Sequence, residues 1–267
     1  MRRKVSLVVA LLVLVVMAVQ PVLAITWGEP DTKHTNVGAM VVDLPGYGPV
    51  QVCSGTLIHP QVFLTAGHCT VGWEAYGITT FWVNFDPYAL NTATLLEVEE
   101  VIPHPDYNWG PVSNPHDVGV LILAEPVTGI EPANLPDEGF LNELQKEGKL
   151  RQGSNGAKFT VVGYGGTLDW PPPDVYYEDQ RQYAESEFQA LLKSWLRMSM
   201  NQATGDGGVC YGDSGGPAFW TQSDGTEILV STCSWGDAVC VARFSDYRVD
   251  TADTLDFIAD VIDGLEP

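Results

Sequence analysis

Cys210-Tyr211-Gly212-Asp213-Ser214-Gly215-Gly216-Pro217 places one serine in a glycine-rich turn directly behind an acid. A serine hydroxyl is a weak nucleophile until a base takes its proton, so the turn carries chemistry only if a base and an orienting acid stand elsewhere. Two stretches supply them. Leu64-Thr65-Ala66-Gly67-His68-Cys69 offers a histidine beside a cysteine, and His116-Asp117-Val118-Gly119-Val120-Leu121-Ile122-Leu123 offers an acid at the head of an apolar run.

Composition limits what could surround such a site. The chain has 267 residues, 45% of them hydrophobic, enough for one or two domains with real cores. Its 13 basic and 34 acidic side chains give a formal charge of −21, which repels a phosphate backbone and argues against nucleic acid as a partner. Residues 1–24 read as a secretory signal peptide. Arg2, Arg3 and Lys4 precede an apolar run from Val5 to Val19, Pro21 ends it, and Val22-Leu23-Ala24 suits cleavage. That run is shorter than the ~20 residues a membrane-crossing helix needs, so no stable membrane association is expected after cleavage.

Export fits the cysteines. Five of them (53, 69, 210, 233 and 240) allow two bridges and leave one thiol, and counting alone does not say which. In an oxidising compartment Cys53–Cys69 and Cys210–Cys240 would each staple a loop that carries site residues, at about 3 kcal/mol of chain entropy per loop. Zinc is the rival use of cysteine. The chain has no CxxC and no Cys–His pairing at ligand spacing, nor a recognisable calcium loop, so no metal and no cofactor are expected.

Short runs rich in Val, Ile, Leu, Thr, Phe and Trp, separated by Gly, Pro, Asn or Asp, give strands at 38–43, 50–58, 62–66, 79–85, 95–102 and 118–123. Pro- and Gly-rich residues from Ala124 to Gln152 read as a connection, with a short helix at 140–147. Strands resume at 158–164, Trp170-Pro171-Pro172-Pro173 makes a stiff exposed turn, and further strands fall at 216–221, 227–235 and 239–249. Between them, Phe188, Leu191, Leu192, Trp195 and Leu196 fit either a helical stripe or a strand, a turn and a second strand. Leu255, Phe257, Ile258, Val261 and Ile262 mark a terminal amphipathic helix. Evenly spaced short strands indicate an all-β barrel or sandwich.

Taken together, Thr65-Ala66-Gly67-His68-Cys69, Asp117-Val118-Gly119-Val120-Leu121, Gly163-Tyr164-Gly165, Gly212-Asp213-Ser214-Gly215-Gly216-Pro217 and Ser234-Trp235-Gly236 resemble, in order and spacing, the chymotrypsin/trypsin-like serine proteases. The resemblance covers nearly all of the chain after residue 24. It implies two six-stranded antiparallel β-barrels, 25–130 and 158–267, joined by a linker at 131–157, with the active site between them and a C-terminal helix. It also implies roles. Ser214 is the nucleophile, His68 the base, Asp117 the orienting acid, and the N–H groups of Gly212 and Ser214 the oxyanion hole. Ser234 would bond the triad acid, with Trp235 and Gly236 forming a wall of the specificity pocket.

The departures carry expectations of their own. Gly67 replaces the family's second alanine and is expected to loosen packing there. Cys233 stands where an apolar residue is usual and is expected to be a buried, inert thiol. Gly208 falls at the floor of the S1 pocket, where trypsin-like members carry an aspartate. Without that charge a buried Arg or Lys would cost several kcal/mol, so an apolar P1 preference is expected, unless Asp246 lines the pocket. By resemblance, an ammonium freed at Ile25 would turn inward and pair with Asp213, so leader removal itself would complete the site. His34, His59, His104 and His116 read as loop residues.

Two functions remain open: a secreted, monomeric serine endopeptidase acting on proteins or peptides, or a catalytically silent relative that binds a protein or carbohydrate through the same cleft.

Overall fold

A computed structural model of the chain describes residues 25–110, 113–153, 156–169, 174–176 and 179–265. The leader expected at 1–24 and the Trp170–Pro173 turn lie outside the described residues.

The strands are β1 (Glu29–Pro30), β2 (Val37–Leu44), β3 (Gly48–His59), β4 (Val62–Thr65), β5 (Phe81–Asn84), β6 (Leu96–Pro103) and β7 (Gly119–Leu123), then β8 (Lys158–Gly163), β9 (Thr167–Asp169), β10 (Asp174–Tyr176), β11 (Gln182–Leu191), β12 (Trp195–Ser199), β13 (Pro217–Thr221), β14 (Glu227–Gly236) and β15 (Arg243–Arg248). Two helices, α1 (Phe140–Lys146) and α2 (Ala252–Asp263), complete the framework. The first barrel closes in the order β2-β3-β4-β7-β6-β5, with β5 returning to β2 through Ala39 opposite Asn84. The second runs β11-β12-β15-β14-β13-β8 and closes where β8 meets β11 along 158–163. All pairings of the two barrels are antiparallel, and closure leaves neither with a free edge.

The segment at 182–199, which fitted two patterns, is two strands. Gln182, Ala184, Ser186 and Phe188 are buried while Glu185 is exposed, a period of two, and Leu191 faces Leu196 across the turn. The first residues also differ from the expected division of the chain. Glu29 and Pro30 pair with Tyr183 and Gln182, so this segment joins the second barrel.

Each barrel has its own core, and a third cluster joins them. Val37, Ala39 and Leu64 of the first half pack with Val162, Tyr164, Phe219 and Leu229 of the second and with Phe257 and Ile258 of α2. Arg181 is buried at this junction. Its Nε meets Asp31 Oδ2 at 2.9 Å, and its Nη1 donates to the carbonyls of Val37 and Phe85 and to the Tyr164 hydroxyl. A buried cation is tolerated when paired and hydrogen-bonded, and Arg181 is both. Thr251 caps α2 with its side chain, and the apolar face of that helix lies on the shared cluster.

Candidate active site

His68 lies in a single 3-10 turn, Gly67–Cys69, directly after β4. The turn is held from both sides. Cys69 is bridged to Cys53 on β3, and the Thr65 hydroxyl donates to the Ser54 carbonyl at 2.8 Å. Glycine at position 67 does not loosen this region: a Cβ there would lie 2.6 Å from the Tyr107 ring, which fills the space an alanine would use. The expectation of looser packing is therefore corrected.

Asp117, at the head of β7, is wholly buried. It accepts three kinds of hydrogen bond: from the His68 backbone N–H at 2.8 Å, from His68 Nδ1 at 3.0 Å and from the Ser234 hydroxyl. Gripping both the main chain and the ring of His68 fixes the imidazole plane and leaves Nε2 facing away from the acid. The His68 side chain is 24% exposed, and the Trp109 ring stands 5.6 Å from it.

Ser214 sits in a turn whose main chain is anchored on every side. Its carbonyl accepts from Ser54 N–H at 2.8 Å, Gly215 N–H donates to Cys233, and Gly216 N–H donates to Asp213. Gly212 has φ of 97°, a conformation that favours glycine, and its carbonyl accepts from Gln51 Nε2 at 2.8 Å and Ser54 Oγ at 3.0 Å. Among the described residues no hydrogen bond uses the N–H groups of Gly212 or Ser214, and none joins Ser214 Oγ to His68.

Asp213 is fully buried and accepts from the N–H groups of Gly165 and Cys210, both at 2.8 Å. Burial pushes its carboxyl up to about 7, against the pull of those two donors. Ile25 is also fully buried, but its nitrogen donates to Gln182 Oε1 at 3.2 Å; the structure does not join it to Asp213.

Beside Ser214 opens a cavity of about 210 Å³ lined by Val209, Cys210, Cys233, Ser234, Trp235, Gly236 and Asp237, among others. Ser234, Trp235 and Gly236 are thus together with the serine. Gly208 is not among the lining residues. It bridges to Thr26 through its N–H, and a Cβ on it would meet Met200 at 2.5 Å and the Phe244 ring at 2.9 Å. Asp246 does not line the cavity either. It is buried opposite Cys233 on the neighbouring strand and accepts from Ser231, and burial holds its carboxyl well above the usual range. Cys233 is free and buried; burial, then the charges of Asp246, Asp213 and Asp117, push its thiol up. Such a thiol is inert.

Four participants escaped the sequence reading. Gln51 and Ser54 hold the Gly212 carbonyl, Trp109 flanks His68, and Asp237 adds an acid to the cavity wall. Burial opposes ionisation of Asp237, but N–H groups of Ala242, Arg243, Val241 and Val239 outweigh it and hold the carboxyl below its ordinary value. Its oxygens are committed to its own loop. The second bridge, Cys210–Cys240, ties that loop to the serine turn.

A family model described as "Trypsin" matches residues 25–258 of the chain. Relatives include the CLIP domain-containing serine protease B15 of Anopheles gambiae, 27% identical over 213 residues (72% of this chain, 56% of the relative). Vitamin K-dependent protein C of Mus musculus is 30% identical over 207 residues, 69% of this chain and 40% of the relative. Serine protease 28 of Mus musculus is 25% identical over 192 residues, 66% and 65% respectively. The matches thus span less than two thirds of the length of each of these relatives.

Proposed function

The chain belongs to the trypsin family of serine proteases, and from that premise we propose that it is an exported endopeptidase working through Ser214, His68 and Asp117. The observation that carries this reading is the grip of the buried Asp117 on His68, by main chain and ring together, beside the anchored Ser214 turn. Neutral His68 takes the Ser214 proton as the hydroxyl attacks the scissile carbonyl, and returns it to the leaving amine; water then repeats the sequence on the acyl-enzyme. Asp117 holds the tautomer and faces the imidazolium that forms. The free N–H groups of Gly212 and Ser214 are the donors for the developing oxyanion, each worth about 3 kcal/mol of barrier. Gln51 and Ser54, by fixing the Gly212 carbonyl, limit rotation of the peptide unit that lies between these two donors.

The P1 side chain enters the cavity bounded by Ser234, Trp235 and Gly236. The nearest acid, Asp237, has its oxygens engaged by four backbone N–H groups, and Phe244 and Met200 close off Gly208, so an apolar P1 residue is favoured. Leader removal frees the Ile25 ammonium, already inside the second barrel, to exchange Gln182 for Asp213 as partner. Export is inferred from the leader-like residues 1–24 and the two disulfides.

A second reading, a silent relative that binds without cutting, draws on the missing hydrogen bond between His68 and Ser214 Oγ. Unliganded catalytic hydrogen bonds are often long and tighten with substrate, so the first reading stands ahead. Digestion of a denatured protein separates them. The chain starting at Ile25 should cut after apolar residues and Ser214→Ala should not; equal inactivity of the two folded proteins would favour the binder.

A further inference from the structure

His104, His116 and Asp253 come from three separate segments and meet behind the catalytic acid. His104 follows β6, His116 directly precedes Asp117, and Asp253 is in the first turn of α2. His116 Nδ1 lies 2.7 Å from Asp253 Oδ2, His104 Nε2 lies 3.7 Å from the same oxygen, and the two rings stack with centroids 4.8 Å apart. The donor atoms of the three residues all fall within 4.8 Å of one another.

We propose that these three side chains form a site for one divalent transition-metal ion, with zinc the best fit. Two imidazoles and one carboxylate, with water as fourth ligand, are a zinc donor set. Tetrahedral bonds of about 2.0–2.2 Å require donor atoms roughly 3.3 Å apart, so the two carboxylate–imidazole distances change by about half an ångström each, and the stacked rings turn until both nitrogens face the ion. Asp253 is 40% exposed and His104 only 5%, which gives an ion a way in from solvent and a shielded inner face. The other grouping of this kind among the described residues, Cys53, His68 and Cys69, offers no thiolate, because both sulfurs are in the disulfide.

The surroundings can adapt to the ion. At present Asn114 Nδ2 lies 3.1 Å from His116 Nε2, and the Tyr247 hydroxyl donates to Asn114 Oδ1. With the ion on Nδ1, the His116 proton resides on Nε2; rotation of the Asn114 amide presents Oδ1 to it, and Tyr247 accepts from Nδ2. His104 Nδ1 now accepts from the Asp106 N–H at 3.1 Å. Coordination through its Nε2 moves the proton to Nδ1, so the exposed Asp106 turn must yield, and affinity is lowered accordingly. The site is linked to the triad by the main chain: Val118 N–H donates to the His116 carbonyl and His104 N–H to the Val118 carbonyl, on either side of Asp117.

The test uses chelator-stripped protein starting at Ile25, titrated with zinc chloride in a calorimeter and followed by thermal unfolding. One equivalent should bind and raise Tm. Asp253→Asn, at a half-exposed position, and His116→Asn, chosen because asparagine tolerates the φ of 51° at that residue, should each abolish the heat and the Tm shift, while His68→Ala keeps both. Cobalt(II) should give the visible absorption of a tetrahedral site. Absence of binding, or binding lost in His68→Ala but retained in Asp253→Asn, would overturn the proposal.

Discussion

Asp213, buried beneath the reactive turn, is the proposed partner of an ammonium freed at Ile25, and its charge is costly to bury. With residue 25 held in a peptide bond its carboxylate has two N–H partners among the described residues, and burial raises its pKa from 3.8 to about 7. In the unfolded chain it loses its proton near 3.8, so between about pH 4 and about pH 7 the folded state holds the extra proton. Stability from this group is therefore fully present below about pH 4 and lost as pH rises through about 7. The difference of 7 − 3.8 = 3.2 units is worth up to about 4 kcal/mol, at 1.36 kcal/mol per unit. An ammonium at Ile25 reverses the logic by favouring the charged carboxylate. Of that difference, the part between about pH 5 and about pH 7 is read by urea unfolding at about pH 5 and about pH 8, which should show a loss of about 2–3 kcal/mol in a form extended by a few residues before Ile25, and no such loss in the form starting there. Comparing each form with its Asp213→Asn variant cancels the background from the other 33 acids among the 34. Equal Asp213-dependent pH slopes in the two forms would refute both the pairing and the reasoning behind it.

Other perturbations test separate joints. Gln51→Ala removes one of two donors to the Gly212 carbonyl; a lost hydrogen bond of about 1 kcal/mol should lower kcat roughly five-fold with KM little changed, measured on a peptide ester. Arg181→Met leaves the buried Asp31 with the His34 ring as its one side-chain partner among the described residues and should cost about 3 kcal/mol in denaturant unfolding. Gly67→Ala pushes on Tyr107 and should destabilise by about 1–3 kcal/mol; an unchanged midpoint would contradict the tight packing assigned there.

Both barrels, and the three residues proposed as the triad, could be picked out in the sequence because their signals are local. Thr65–Cys69 and Gly212–Pro217 each carry a side chain and the turn that presents it, and period-two alternation marks strands wherever one face is buried. The stretch at 188–196 was ambiguous for a physical reason. A tight turn at Lys193-Ser194 sets Leu191 opposite Leu196, and the spacing across such a turn mimics that of a helix. What the motifs could not carry was contact between distant segments. Gly67 depends on the Tyr107 ring and Gly208 on Phe244 and Met200, while His116 and Asp253 are 137 residues apart. His104 and His116 read as loop residues because no spacing rule links them to the final helix.

The central claim is that Ser214 is a nucleophile activated by His68. Protein starting at Ile25 should react with a fluorophosphonate, gain one adduct that peptide mass mapping places on Ser214, and lose its peptidase activity in step, at a rate that falls by orders of magnitude in His68→Ala. A folded protein that takes no label at Ser214, or takes it equally fast without His68, would contradict the account.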